Sequence, residues 1–209
     1  MPLPTSYHGG TRLDAIALLP SHLDRVIEIG CGTGATLVEL KRQGRCNWVG
    51  GVELADEPAQ IASRCLDRFW KGNIETLALN IDAASIDAIL CLDVLEHLTD
   101  PWSTLERLTK FLRPGGIAVI SVPNIRNDRV LEALMLQGRW DYQPTGIMDR
   151  THLRFFTLQT AIELVHGAGL TVDRTVPLIH LKRWKMKWLL HRLACGRLDE
   201  FYAEQLLLR

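Results

Sequence analysis

Val26-Ile-Glu-Ile-Gly-Cys-Gly-Thr-Gly34 carries an apolar strand pattern straight into a turn with glycine at every second position. Without a Cβ, Gly30, Gly32 and Gly34 permit positive φ where the chain turns sharply, and they let a ligand approach the main chain closely. The helix expected over residues 35–43 starts with free N–H groups. The spacing is G-x-G-x-G, not G-x-G-x-x-G, and no Lys-Ser or Lys-Thr pair follows as in a phosphate loop, so phosphate is not the favoured guest. Glu53 closes a second apolar run at residues 48–52. An acidic residue at the tip of the second strand of a doubly wound sheet is placed to accept hydrogen bonds from both ribose hydroxyls of a nucleoside, and its charge disfavours a ribose phosphate. The glycines alone would suit a plain strand-to-helix turn; together with Glu53 they point to a nucleoside site.

Around this segment, strand-like runs at residues 25–29, 48–53, 68–71, 87–92 and 117–122 are separated by helical patterns at about 35–43, 57–67 and 102–112. Strands alternating with helices imply a parallel sheet with right-handed crossovers. A covering helix is expected over residues 10–19, a helix over 128–137, and a polar, aromatic loop over 138–154. A helix with Thr157 as N-cap follows over 157–167, then a sixth strand over 170–176. Residues 201–208 suit either a seventh strand or a short helix.

With 209 residues and 47% hydrophobic content, the chain can form one α/β domain that buries about 70% of its unfolded surface. Lys plus Arg equals Asp plus Glu, 24 each, so no overall field steers it to nucleic acid or an anionic membrane. Five cysteines without a C-x-x-C pair suit reduced thiols in a cytosol. Neither a basic-then-apolar leader nor an apolar run near ~18 residues is present, and a soluble, unprocessed, cytoplasmic protein is expected.

The glycine turn, Glu53, the run Asp87-Ala-Ile-Leu-Cys-Leu-Asp93-Val-Leu-Glu96-His97, and Leu112-Arg-Pro-Gly-Gly-Ile-Ala-Val-Ile-Ser121 resemble the successive motifs of class I S-adenosylmethionine-dependent methyltransferases. The match in order and spacing covers about residues 23–123. Ser121-Val-Pro-Asn-Ile-Arg126 and Asp149-Arg-Thr-His-Leu-Arg-Phe-Phe-Thr157 resemble a branch with many bacterial enzymes of surface-polysaccharide and other small-molecule pathways. The resemblance implies a Rossmann-like, doubly wound seven-stranded sheet, mostly parallel with the last strand antiparallel, and S-adenosylmethionine as cofactor with S-adenosylhomocysteine as product. It places Glu28, Gly30, Cys31, Gly32 and Gly34 at the methionine moiety and Glu53 at the ribose. Leu54 and Ile74 fall at the adenine faces, and Leu92 with Asp93 at the sugar and amino-acid side. Asn73 stands where many relatives have Asp against the adenine amino group; an amide oxygen can still accept that bond, and Asn is also an ordinary turn residue.

An activated methyl needs mainly a nucleophile held in line behind it, and such positioning supplies about 7–11 kcal/mol. For a hydroxyl acceptor a general base adds about 10²–10⁴ in rate. His97, following the fourth strand, is the first candidate base; packing or capping of the next helix is the alternative. His152, in the loop with Trp140, Tyr142, Asp149, Arg150 and Arg154, is the second. An Asp149–Arg154 ion pair and a core role for Phe155 and Phe156 are the structural alternatives there. Asp93, Glu96 and His97 resemble the residues that bind a divalent ion in ubiquinone-pathway O-methyltransferases. They chelate only if the backbone turns, and no metal is assigned from the sequence. Tyr7 and His8 are placed to close the cofactor pocket from the other side. Residues 178–197 read as a basic helical lid with Trp184 and Trp188 among its lysines, open to weak contact with a membrane surface or a partner.

These readings converge on methyl transfer to a small-molecule, sugar- or lipid-linked acceptor, most naturally at oxygen. The alternative is a non-catalytic cofactor-binding sensor or partner module. Nucleic acid is disfavoured by neutrality and by the lack of an Asn-Pro-Pro-Tyr-like segment after the fourth strand.

Overall fold

The structure, a computed structural model, describes residues 10–179 and 199–209. A seven-stranded sheet in the order β3-β2-β1-β4-β5-β7-β6 forms its centre. The strands are β1 (Leu23–Ile29), β2 (Cys46–Glu53), β3 (Arg68–Lys71), β4 (Ile86–Leu92), β5 (Leu112–Pro123), β6 (Thr175–Leu178) and β7 (Gln205–Leu208). The first five pair in parallel, and β7 inserts antiparallel between β5 and β6. The chain winds outward from β1 to β3, then returns to place β4 on the other side of β1. That reversal opens a crevice at the carboxyl ends of β1 and β4, where doubly wound sheets bind ligands.

β4 shows why the sheet is central. All seven of its residues are buried. Ile89 and Cys91 join one core cluster, while Ala88, Leu90 and Leu92 join the other. Successive side chains point to opposite faces, so an unbroken apolar run means helices on both sides. Those helices are α1 (Leu13–Ile16), α2 (Ala35–Arg42), α3 (Asp56–Cys65), α4 (Pro101–Thr109), α5 (Asp128–Gln137), α6 (Leu158–Gly167) and α7 (Asp199–Tyr202). Their starts are written locally. Asp100 accepts from the Ser103 amide with Pro101 in the first turn, Asn127 accepts from the Arg129 amide, and Thr157 forms a capping box with Thr160.

Several boundaries differ from expectation, among them the start of β5 at Leu112 instead of residue 117 and the end of α4 at Thr109 instead of residue 112. The covering helix shrinks to Leu13–Ile16, because the segment from residue 17 turns to tuck Leu18 and Leu19 into the core. The sixth strand begins at Thr175, not at residue 170, since its register is dictated by pairing with β7. Residues 201–208 are both helix end and strand: α7 ends at Tyr202 and β7 starts at Gln205. The expected lid begins later than residue 178, because Leu178 is the last residue of β6; its residues 180–197, and Tyr7 and His8, lie outside the described residues. No helix of the described residues is long and apolar enough to cross a membrane.

Candidate active site

The glycine turn leaves β1 with positive φ at Gly30, Gly32 and Gly34, at 69°, 54° and 79°. A Cβ on Gly30 would stand 2.1 Å from the Val94 side chain, so this turn and the turn after β4 touch only because the position is glycine. Gly34 is the left-handed N-cap of α2. The Cys31 amide donates to the Val52 carbonyl at 2.9 Å, tying the turn to β2. Burial pushes the Cys31 thiol upward, with Glu28 and Glu53 adding to the effect, which keeps it an inert packing group.

Glu53, at the end of β2, is held on three sides. Its Oε2 accepts from the Gly32 amide at 2.9 Å, and its Oε1 accepts from the Leu54 and Ala55 amides at 2.8 and 2.7 Å. A carboxylate has about four lone-pair positions, so acceptor capacity remains for a ligand hydroxyl. A cleft of about 840 Å³ extends from Gly30 across Glu53 and Leu54 to Asn73 and Ile74, and on to Asp93 and His97. That size falls in the ~300–1,000 Å³ range of small-molecule sites. Ile74 is buried, whereas Leu54 is 64% exposed and forms an apolar rim. Asn73 lines this cleft, but its Oδ1 accepts from the Glu75 amide at 2.9 Å, so the side chain is also an Asx turn.

A second cavity, about 410 Å³, shares Gly30 and Asp93 with the first and includes Arg12, Glu28, Leu92, Glu96 and His152. Glu28 is 4% exposed, and its Oε2 has no hydrogen-bond partner. Burial pushes its carboxyl up to about 8, with the Arg12 charge opposing and Glu53 adding to the rise. Asp93 adopts φ 57°. Its carboxylate accepts from Arg12 at 2.6 Å, from the Ser121 hydroxyl at 2.6 Å and from Gln205 at 2.9 Å. Arg12, Ser121 and Gln205 were not singled out from sequence. Only the fold brings together residues 12, 93, 121 and 205, and an isolated arginine before a short helix carries no periodic signal.

Past Asp93 the chain makes a tight 3-10 turn, Leu95–His97. The loop that ends at residue 154 docks on it: the Leu153 and Arg154 amides donate to the Glu96 carbonyl at 2.8 and 3.0 Å, and Arg154 also donates to the Thr99 carbonyl. This docking sets His97 and His152 edge to face, with ring centroids 4.8 Å apart. His97 Nδ1 lies 3.2 Å from the Thr151 carbonyl, and His152 Nδ1 lies 2.9 Å from the Ile147 carbonyl. A carbonyl only accepts, so each Nδ1 carries the hydrogen and each neutral ring keeps its Nε2 lone pair. Burial holds His97 below its ordinary range, and His152 adds to the effect. Beneath them Glu96 is 1% exposed with both carboxylate oxygens unpartnered, and burial, reinforced by Asp93, raises its carboxyl well above the usual range. One ligand atom each from Glu96, His97 and His152 lies within 4.8 Å of the others.

Two structural alternatives fail here. Asp149 accepts from the Thr151 amide and hydroxyl at 2.8 and 2.7 Å, while Arg154 turns to Thr99 and stacks over Trp102, so the two form no pair. Phe156 fills the core as expected, but Phe155 is half-buried against Trp140, with centroids 5.3 Å apart, instead of anchoring the next helix.

The methyltransferase-domain family model matches residues 10–175, which contain the larger cleft and all of the smaller cavity's lining except Glu204 and Gln205. The chain belongs to this family. Membership makes S-adenosylmethionine its cofactor and S-adenosylhomocysteine the product. Curated relatives include the ubiquinone biosynthesis O-methyltransferase of Aeromonas salmonicida (strain A449), 28% identical over 71% of this chain and 63% of the relative. That of Cupriavidus pinatubonensis is 26% identical over 82% of this chain and 72% of the relative. This methyltransferase domain spans between 43% and 72% of the length of such relatives. Among solved structures, a chain of the complex between the Haloferax volcanii Trm112 methyltransferase activator and its methyltransferase superposes with a TM-score of 0.67, at 20% identity over 97% of this chain and 89% of that one. A SAM-dependent methyltransferase from Archaeoglobus fulgidus gives 0.65, at 16% identity over 94% of this chain and 90% of that one. At these identities the superpositions bear on the fold alone.

Proposed function

We propose that this domain transfers the methyl group of S-adenosylmethionine to a hydroxyl of a small-molecule acceptor, and that sugar- or lipid-linked hydroxyls belong to the same acceptor class. The observation that carries the reading is the junction at Gly30 and Asp93, where a nucleoside-sized cleft floored by Glu53 meets a pair of imidazoles, His152 buried and His97 half-buried. The names of the curated relatives support oxygen as the accepting atom.

In this reading the adenosine lies over Glu53, between Leu54 and Ile74, with Asn73 at the base edge. The methionine moiety enters the smaller cavity past Gly30, Cys31, Gly32 and Gly34, with Leu92 and Asp93 on its flank. Arg12 meets its carboxylate and Glu28 its positive end. The sulfonium methyl then points toward His97 and His152. An imidazole held below its ordinary pKa is unprotonated at neutral pH and can take the acceptor's proton as the C–S bond breaks and the O–C bond forms. The methyl leaves without its bonding pair, which stays on sulfur as S-adenosylhomocysteine; the proton resides on imidazole before passing to water.

The test is incubation with methyl-labelled S-adenosylmethionine and a panel of phenolic, sugar-linked and lipid-linked hydroxyl compounds. Label in one class supports the reading and names the acceptor. Cofactor binding by calorimetry without label in any class would favour the non-catalytic module.

A further inference from the structure

We propose that Asn124 and Asn127 are positioning residues for the cofactor: they grip the turn between α7 and β7 and so hold Gln205 against Asp93, where the two clefts meet. The proposal rests on the placement of the methionine moiety in the smaller cavity. It gives a task to the segment Ser121-Val-Pro-Asn-Ile-Arg-Asn127, none of whose side chains the proposed chemistry uses.

Both amides are buried, at 0% and 2% exposure. Asn124 Nδ2 donates to the Glu200 and Ala203 carbonyls at 2.6 and 3.1 Å, and Asn127 Nδ2 donates to the Tyr202 and Ala203 carbonyls at 3.4 and 3.0 Å. The Ala203 carbonyl is thus shared by the two side chains. Their orientation is fixed from the other end, because Asn124 Oδ1 accepts from the Arg126 amide and Asn127 Oδ1 from the Arg129 amide, each at 3.1 Å. With the oxygen tied to its own turn, the NH₂ group faces residues 200–203, a role that neither Asp nor Ser can fill. Arg126 also pairs with Glu200 and Arg129 with Glu204, but both arginines are more than half exposed, and such pairs contribute little. The buried amides therefore carry the fixing.

What they fix is the entry of β7. Gln205 is the first residue of that strand, opposite Pro123, at an end where local opening is easiest. Its Nε2 donates to Asp93 Oδ2 at 2.9 Å, while the Ser121 hydroxyl donates to Oδ1 at 2.6 Å. Residues 121–127 thereby set the Asp93 carboxylate from both sides, once directly and once through the turn they hold. Glu204 and Gln205 both line the smaller cavity, although they lie beyond the residues that the family model matches. The wall at the methionine end of the cofactor is accordingly completed by β7, and two side chains from far earlier in the chain decide where it stands.

Serine separates this role from local structure. It caps a helix as well as asparagine does and can keep the turn at residue 124, but it has no amide to reach residues 200–203. The experiment compares the full chain with Asn124→Ser, Asn127→Ser, Gln205→Ala, and Gln205→Ala combined with each serine variant, all well below their melting temperatures. Calorimetry reads S-adenosylmethionine affinity; NMR reads the Gln205 side-chain N–H protons, assigned through their loss in Gln205→Ala. Each single variant is expected to weaken cofactor binding about three- to tenfold, and each double variant no more than Gln205→Ala alone, because residues acting through one contact are not additive. The wild-type Gln205 N–H pair is expected to be widely split by its bond to the Asp93 carboxylate, and the serine variants to collapse that splitting. Wild-type affinity with unchanged splitting in the folded serine variants would overturn the proposal, since strand pairing would then place Gln205 unaided; additive losses would overturn it too. Wild-type affinity in Gln205→Ala would also sink it, while the placement of the cofactor is decided separately by Arg12→Ala.

Discussion

The cleft over Glu53 and the cluster around Glu96 lie at the ends of β2 and β4, on either side of β1, but are built in opposite ways. The first satisfies itself: the Glu53 carboxylate is met by three backbone amides from the turns beside it, and the glycine turn is tied to β2 by the Cys31 amide. The second leaves polar atoms buried without partners, on Glu96 and Asp149, and collects its groups from segments more than fifty residues apart. Backbone amides can prepare a site for a constant ligand such as a nucleoside. Unpartnered buried acids next to two imidazoles store interaction energy that a bound group or a passing proton can claim. The contrast assigns affinity to the first region and turnover to the second.

The largest effect expected of that division is at the imidazoles. His97→Gln or His152→Gln should lower turnover by about 10²–10⁴ while changing S-adenosylmethionine affinity less than about threefold. Steady-state kinetics together with calorimetry reads both, and a variant that loses affinity while keeping turnover would break the comparison.

Next comes Gly30→Ala, which places a Cβ at 2.1 Å from Val94 on a backbone with φ 69°. The clash and the left-handed strain together cost about 2–4 kcal/mol, seen as a lower melting temperature and weaker cofactor binding. Adding Val94→Ala should recover the steric share and leave the backbone share; equal damage in single and double variants would show that the contact does not matter.

Arg12→Ala sharpens the comparison, because Arg12 reaches both regions through Asp93 and the smaller cavity. About a tenfold loss of S-adenosylmethionine affinity is expected, and no comparable loss for its decarboxylated analogue. Equal losses for the two ligands would remove the proposed carboxylate contact.

The most gradual effect is a pH dependence at Glu28. Its folded pKa, about 8, lies above the unfolded value near ~4.3, so between those values the native state holds more protons than the unfolded one. Stability from this group is present at low pH and is lost as pH rises through about 8, with a slope of at most ~1.4 kcal/mol per unit. The stability of Glu28→Gln relative to wild type should therefore rise from pH 5 to pH 8 in denaturant titrations. Binding of the cationic cofactor at pH 7 should also release a proton, which calorimetry in two buffers of different ionisation enthalpy detects. A flat difference and no proton release would mean that Glu28 is already ionised.

Much of the first region was legible in one dimension. The Gly30 to Gly34 turn and Glu53 sit on contiguous runs whose periodicity announces strand, turn and helix, and Gly30, Cys31, Gly32 and Glu53 line the clefts. Helix α5 and the Thr157 cap were equally readable, since capping chemistry acts over three or four residues. The sixth strand was misplaced because four residues of Thr175–Leu178 take their register from β7, about thirty residues later. Phe155 was misread because an aromatic residue looks the same in sequence whether it faces the core or Trp140.

By itself, then, the sequence determined the alternation of strands and helices, the glycine turn and the identity of the family, because each depends on spacing within a few residues of the chain. Only the tertiary structure decided that Arg12 and Gln205 occupy Asp93, that His152 faces His97, and that Glu96 stays buried without a partner. Those relations span up to 193 positions along the chain, from residue 12 to residue 205, and arise where β4 returns beside β1 and β7 inserts next to β5. Contacts of that kind leave no periodic trace, because the side chains meet through the packing of the sheet and not through their order.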